Sequence, residues 1–554
     1  MRSIRRLYGL SFAFCAALAV QVPATAQDRF SGQALEAVAR TAGSLAQAPP
    51  GATARPVAQA ADGPVRRLTL DESVRLALEN NLGIQIARFT PQLEDLSIVQ
   101  ARANWSPTLT SSFQSTSTDS PNNTFLAGGQ GLKTSDDRFF NTTGVQKTTR
   151  WGGRYNLGWD ATRMTTNNAF TTFSPQLRSS LAFNYEQPLL RGLSIDNVRQ
   201  QIESSLKNRD IADIQLRQTI ASTMRTVRNA YWNLAFAHAS LRVQQQSLEL
   251  AQESLRNTRS RVDIGTTPPI DIVEAESEVA QREEAVIVGE AQIQTAEDTL
   301  RTLVLDPSSP DFWTVHLESV DPPPFQPITV DTDAAVRNAL EKRTDLLQSR
   351  KGLELNDVSI RFLRNETLPD VTASFDYGLS GLGGTQLQRS VGPFGPGSGA
   401  VIGETQRGFS SVVGDLFRNT FPAWTASLNI SYPLGTSTAQ ANLARVRLQN
   451  SQAIADIRNQ QLQVTTQVRE AARQVQTNQK RVDSTRSSRA LAERRLDAEQ
   501  RKLAAGTSTS FVVFQTQRDL AVAQNNELRA ILDFIQSVVD LETVQEIPLG
   551  GVAP

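Results

Sequence analysis

Apolar residues recur at every seventh position over two long stretches of the chain. Ile220, Val227, Leu234, Leu241, Leu248, Leu255 and Val262 hold that spacing inside a run from Gly192 to Gly265 that has neither Gly nor Pro between its ends. This is the period of one apolar seam on a long helix. After Gly265-Thr266-Thr267-Pro268-Pro269, a second seam passes through Ile272, Val279, Val286, Ile293 and Leu300. So short a link makes the two helices antiparallel. The pattern returns around Gly506-Thr507-Ser508-Thr509-Ser510. Val468, Val475, Val482, Leu496 and Leu503 carry the outgoing seam with Arg489 as its exception, and Val513, Leu520, Phe534 and Leu541 the return seam with Glu527 as its exception. Each outgoing helix, at roughly 70 residues and ~1.5 Å per residue, is a rod about 100 Å long.

Upstream of each hairpin lies a shorter helical period followed by a period of two. Asp71 is placed to cap one amphipathic helix through Val74, Leu78, Leu82 and Ile86 toward Ala103, ending before Pro107. Val74-Arg75-Leu76-Ala77-Leu78-Glu79 corresponds to Val336-Arg337-Asn338-Ala339-Leu340-Glu341, and Pro107-Thr108-Leu109 falls on Pro369-Asp370-Val371 at the same offset. The chain is therefore an internal duplication. Alternation follows each proline: Leu109, Ser111, Phe113; Tyr155, Leu157, Trp159; Leu181, Phe183, Tyr185; and Ala426, Leu428, Ile430, Tyr432. Strands of this kind fit a transmembrane barrel and equally a one-sided soluble sheet. Their setting between very long helices, with the polar stretch Asp119 to Asp137 and the Gly-rich tract Gly378 to Arg418 read as long loops at one end, favours the membrane. Trp151-Gly152-Gly153 reads as a hairpin turn. The first copy thus has two strands more than the second, which either enlarge a barrel or form a separate hairpin.

Composition narrows the partners. Lys plus Arg and Asp plus Glu both number 56 among 554 residues, and without a basic surplus or stripe nucleic acid is not an expected partner. Arg2, Arg5 and Arg6, the apolar run Leu7 to Val22, and Ala24-Thr25-Ala26 form a secretory signal peptide with cleavage near Ala26-Gln27. The only cysteine, Cys15, lies within it. The resulting organisation is 1–26 signal peptide, 27–66 flexible leader, 67–326 first structural repeat, 327–547 second structural repeat, and 548–554 tail.

Catalytic chemistry is sparse. His238 and His316 are the only histidines and stand far apart, so no metal site is expected. No nucleophile elbow or phosphate loop appears, and no cofactor or enzyme activity is called for. Glu274, Glu276, Glu278, Glu283 and Glu284 read as a solvated helix face.

Tyr185-Glu186-Gln187-Pro188-Leu189-Leu190-Arg191-Gly192, Ser431-Tyr432-Pro433-Leu434-Gly435, and the turns at Gly265-Thr266 and Gly506-Thr507, in duplicated order, resemble the TolC family of outer-membrane efflux proteins. The resemblance implies a mixed α and β membrane protein. Its duplicated unit would give a homotrimer with a transmembrane β-barrel in outer-membrane lipid, continuous with a long periplasmic α-helical barrel. It also implies passive conduction in a tripartite efflux or type I secretion system, with a periplasmic adaptor protein and an inner-membrane transporter as partners and the hairpin tips as docking and gating end. The tip and gate would then comprise Gly265, Thr266, Asp271, Glu274, Gly506, Thr507, Phe511, Val512 and Gln515. The family's acidic ring falls on Val512 and Gln515, its hairpin-linking Arg on Ser508, and the partner of Asp271 on Leu503, none of which keeps the expected charge. Asp271 is also suited simply to cap and complement the start of the return helix, and Phe511, Val512 and Phe514 could close the tip by apolar contact or serve ordinary packing. A periplasmic coiled-coil adaptor, with compact β-domains in place of membrane-facing strands, is one rival reading, and a structural assembly protein is another.

Overall fold

The computed structural model describes residues 64–122, 133–168, 170–322, 325–392 and 395–546. Strand β1 (Val65–Leu68) leads into α1 (Leu70–Asn80) and α2 (Leu82–Ala103). The seam through Val74 to Ile86 therefore belongs to two helices. Asn81 is extended, at φ −65° and ψ 118°, and its side chain accepts from the Ile84 N–H to start α2. Thr69 caps α1, accepting from the Glu72 N–H, so Asp71 sits in the first turn and not at the cap.

Four antiparallel strands follow: β2 (Thr108–Pro121), β3 (Lys133–Thr148), β4 (Arg154–Thr166) and β5 (Phe173–Pro188). The hairpin α3 (Asn197–Asp263) and α4 (Ile270–Val304) completes the first half. The strand β6 (His316–Ser319) follows, and the second half runs α5 (Thr332–Lys342), α6 (Thr344–Glu366), β7 (Asp370–Gly392), β8 (Gly395–Arg407), α7 (Phe409–Phe417), β9 (Pro422–Ser431), α8 (Thr438–Ala504) and α9 (Ser510–Gln545). The Gly-rich tract is thus not a loop: β7 runs through it, β8 folds back on its far end and α7 returns toward β9. The two ends of Asp119 to Asp137 are strand as well, because β2 reaches Pro121 and β3 starts at Lys133.

The large sheet has the order β2-β3-β4-β5-β7, with β9 pairing the near part of β7 and β8 its far part. Register places the apolar positions in rows. Leu109, Val145, Leu157, Phe183, Tyr377 and Trp424 lie directly across from one another in turn. The next row, on the opposite face, is Thr110, Gly144, Gly158, Ala182, Gly378 and Ala423. One face is therefore aromatic and aliphatic. The other is small and polar, with Thr142 donating to Asp160 at 2.7 Å and Asn184 to Asp376 at 2.5 Å. Leu109, Phe113, Trp424, Leu428 and Ile430 of the two outermost strands are exposed, which a soluble one-sided sheet would cover.

Helices α3 and α8 have 67 residues each, and their return partners α4 and α9 have 35 and 36. Each long helix is flanked near the sheet by a short helix and farther out by its return helix. Arg209 of α3 meets Asp95 of α2 at 3.2 Å, whereas Arg259 meets Glu276 of α4 at 2.7 Å. The main core lies midway, where Val227, Tyr231, Leu234, Leu300, Val304, Val475, Val482 and Phe534 pack together. There β1 and β6 form a parallel pair that the periodicity did not reveal. The Tyr231 hydroxyl lies 3.1 Å from Leu68 O and 2.8 Å from Asp321 Oδ2 and accepts from the Asp321 N–H at 3.2 Å. Burial pushes this phenol's pKa upward, so it remains a neutral donor.

Candidate functional site at the hairpin tips

Both hairpins turn by the same device. Gly265 and Gly506 adopt φ +79° and +73°, where an L side chain is strained. The Gly265 N–H bonds Val262 O at 2.9 Å and the Thr266 N–H bonds Arg261 O at 2.9 Å. The second tip repeats this with Gly506 to Leu503 at 3.1 Å and Thr507 to Lys502 at 2.9 Å. These are Schellman closures that satisfy the last carbonyls of α3 and α8. Thr266 and Thr507 also donate their hydroxyls to the Arg261 and Lys502 carbonyls.

Around these turns Asp271 is half-buried in the first turn of α4 and Glu274 is exposed. The N-cap of α4 is Pro269, with no side-chain cap bond, so Asp271 acts on this helix through charge alone. On the second tip Phe511 and Gln515 are exposed and Val512 is half-buried, whereas Val513 and Phe514 are in the core. Ser508 donates to Glu499 at 2.9 Å within its own hairpin, and Lys502 donates to the same carboxylate at 2.7 Å. Those two donors hold the Glu499 carboxyl below the usual carboxylate range.

The charged link between the hairpins lies one turn deeper. Glu278 is only 2% exposed, which corrects its reading as part of a solvated face. Its Oε1 accepts from Arg282 of the same helix at 2.8 Å, and its Oε2 accepts from Arg518 of α9 at 2.7 Å. One carboxylate thus separates two guanidinium groups and ties the return helices of both halves together. Period alone could not single out Glu278, since four other carboxylates share its stretch of α4. The matching cue was Arg518 on the opposite hairpin.

A second polar joint falls on the two seam exceptions. Arg489 donates to Glu527 at 2.9 Å, and Arg486 approaches the same carboxylate at 3.4 Å. The interruptions in the α8 and α9 seams are therefore partners of each other, and its carboxylate neighbours raise the pKa of Arg489 further.

Among the described residues no helix is long and apolar enough to cross a membrane, and no group of three or more His, Cys, Asp or Glu is arranged to hold a metal. The first observation does not bear on strands. The pattern of outer membrane efflux proteins matches residues 74–304 and again 335–544, one match on each half. The chain belongs to the outer membrane efflux protein family. Its members are channels, and the apolar sheet is accordingly the outer-membrane part of this chain, with the long helices in the periplasm. The rival adaptor and assembly readings are not favoured.

Solved structures agree in fold. The CmeC outer membrane channel of Campylobacter jejuni is 12% identical with a TM-score of 0.60, over 86% of this chain and 85% of that one. The VceC outer membrane protein of Vibrio cholerae is 15% identical with a TM-score of 0.58, over 86% and 95%. The open state of the MtrE outer membrane channel of Neisseria gonorrhoeae is 17% identical with a TM-score of 0.58, over 86% and 88%. No curated protein matches in sequence.

Proposed function

We propose that three copies of this chain form one conduit, that the hairpin tips meet a periplasmic adaptor fed by an inner-membrane transporter, and that the tips gate it. The observation that carries this reading is a membrane-type sheet with two open edges joined to a helical layer ending in two matched tips. Open strand edges cannot remain in lipid. Ile264, Ile270, Val273 and Phe511 leave apolar side chains exposed around the tips, a surface suited to a partner protein. In this arrangement the Glu278 carboxylate is the lock, because without it Arg282 and Arg518 repel one another across the hairpins.

Bilayer recording of the purified full chain tests the reading. Single-channel steps should appear only with detergent-solubilised protein, and Glu278→Gln should raise the open fraction by about tenfold, as expected for losing about 1–2 kcal/mol from a half-exposed ion pair. A chain that stays monodisperse without detergent and forms no pores would overturn the conduit, whereas pores indifferent to Glu278 would overturn only the lock.

A further inference from the structure

From the sheet, and resting on the trimer proposed above, we infer that the assembled barrel has 18 strands (3 × 6), with β3 and β4 as full members of its wall. The duplication matches β2 to β7 and leaves β3 and β4 without counterparts in the second half, where β7 and β9 alone carry the apolar rows. These extra strands are not an appendage. β3 pairs with β2 over 14 consecutive positions, and β4 pairs with β5 from Arg154–Glu186 to Met164–Gln176. Both apolar and small-residue rows cross β3 and β4 without a break in register. Their turn is also docked at the helical end: Gly152, at φ +87°, lies so close to Gly192 that a Cβ would come within 2.8 Å of its carbonyl oxygen, and Trp151 donates to the Tyr185 hydroxyl at 3.3 Å.

β8 adds no further stave. Gly384 pairs Gln176 of β5 on one side and Arg407 of β8 on the other, so β8 prolongs the edge of β7 that β9 occupies nearer the helices. At the level of the apolar rows each copy therefore presents six strands of alternating direction. β2 leaves the helices and β9 returns to them, so β9 of one copy meets β2 of a second copy antiparallel, and the alternation closes. Six strands at a time bring each open edge to another copy of this chain with its apolar face continuous.

The consequence is bore. With strands ~4.8 Å apart and tilted ~40°, 18 strands enclose about 36 Å between opposing backbones, against about 24 Å for the 12 that two strands per half would supply. The inward row Gly144, Gly158, Ala182 and Gly378 leaves that width unfilled by side chains. The exit is then wider than a 12-strand wall would leave it.

Electron cryomicroscopy of the detergent-solubilised full chain, with native mass measured on the same sample, decides the matter. Three copies and six wall strands per copy are expected. Three copies with four wall strands each, β3–β4 standing outside the wall, would overturn the wide barrel and leave the trimer intact; a mass other than three copies would overturn the trimer and the count of 18 together. Deletion of residues 133–166, which removes β3 and β4, should also lower the size of neutral polymer admitted from the outer side of a bilayer. An unchanged cut-off in an assembled variant would sink the proposal, and the strand count on the intact chain stands whether or not the variant assembles.

Discussion

Glu499, Glu278 and Glu527 are carboxylates on neighbouring helices, each held by a different pair of donors. Glu499 has a lowered pKa from Lys502 and Ser508. Its contribution to the second tip is therefore complete above the ordinary value of 4.5 and is lost as pH falls through the lower folded value. Hydrogen exchange at Thr507 to Ser510, corrected for intrinsic rates, should accelerate on acidification in the wild type and show no such step in Glu499→Gln. Glu527 stood out in the chain as a charge at a seam position, as Arg489 did, but their pairing did not show until the structure joined a buried Glu527 to a half-exposed Arg489. Glu278 did not stand out, because solvent and burial leave the same letter in a row of glutamates. Val512 and Gln515, onto which the resemblance carries the family's acidic ring, are uncharged, and Val512→Asp with Gln515→Asp should increase cation selectivity in bilayer recordings. Unchanged selectivity would mean that these positions do not line the constriction.

At the scale of elements, periodicity located every long helix because a heptad seam runs through five to seven positions before it ends, and the glycine turns punctuate it. It failed where a break keeps the phase. Asn81 interrupts α1 and α2 while Val74, Leu78, Leu82 and Ile86 continue their spacing across it, so only the cap geometry separates the helices. Asn81→Ala should cost about 1 kcal/mol through loss of that cap, read as a lower urea midpoint for the helical part of the detergent-solubilised chain. β7, β8 and α7 were obscured by glycine content, which usually marks loops. Here Gly381 and Gly383 are small because Val412 of α7 lies on them, with a Cβ at Gly381 meeting the Val412 carbonyl oxygen at 2.2 Å. The β1–β6 pair escaped detection for another reason: four-residue parallel strands more than 240 positions apart carry no local signal.

Across the whole molecule, the duplication and the membrane sheet were readable from alternation and from order repeated twice, while the fate of β3 and β4 depended on pairing that no single strand encodes. The apolar face makes a direct demand on that sheet. Leu428→Arg, at an outward position of β9, should destabilise the folded protein in bilayers by about 2–4 kcal/mol if the position lies near midplane, and a polar change at inward Asn429 should not, as refolding into lipid vesicles would measure.

The two halves match in one respect and differ in another. Their rods are 67 and 67 residues long outward, and 35 and 36 on return, while their wall strands number four and two. In the proposed conduit rod length is constrained in both halves at once, since two tips that serve one mouth have to arrive at the same depth. Strand number carries no such constraint, because an antiparallel wall closes at any even total. Depth and bore are thus separately adjustable dimensions of one architecture, and a single inserted hairpin can change the second without altering the first.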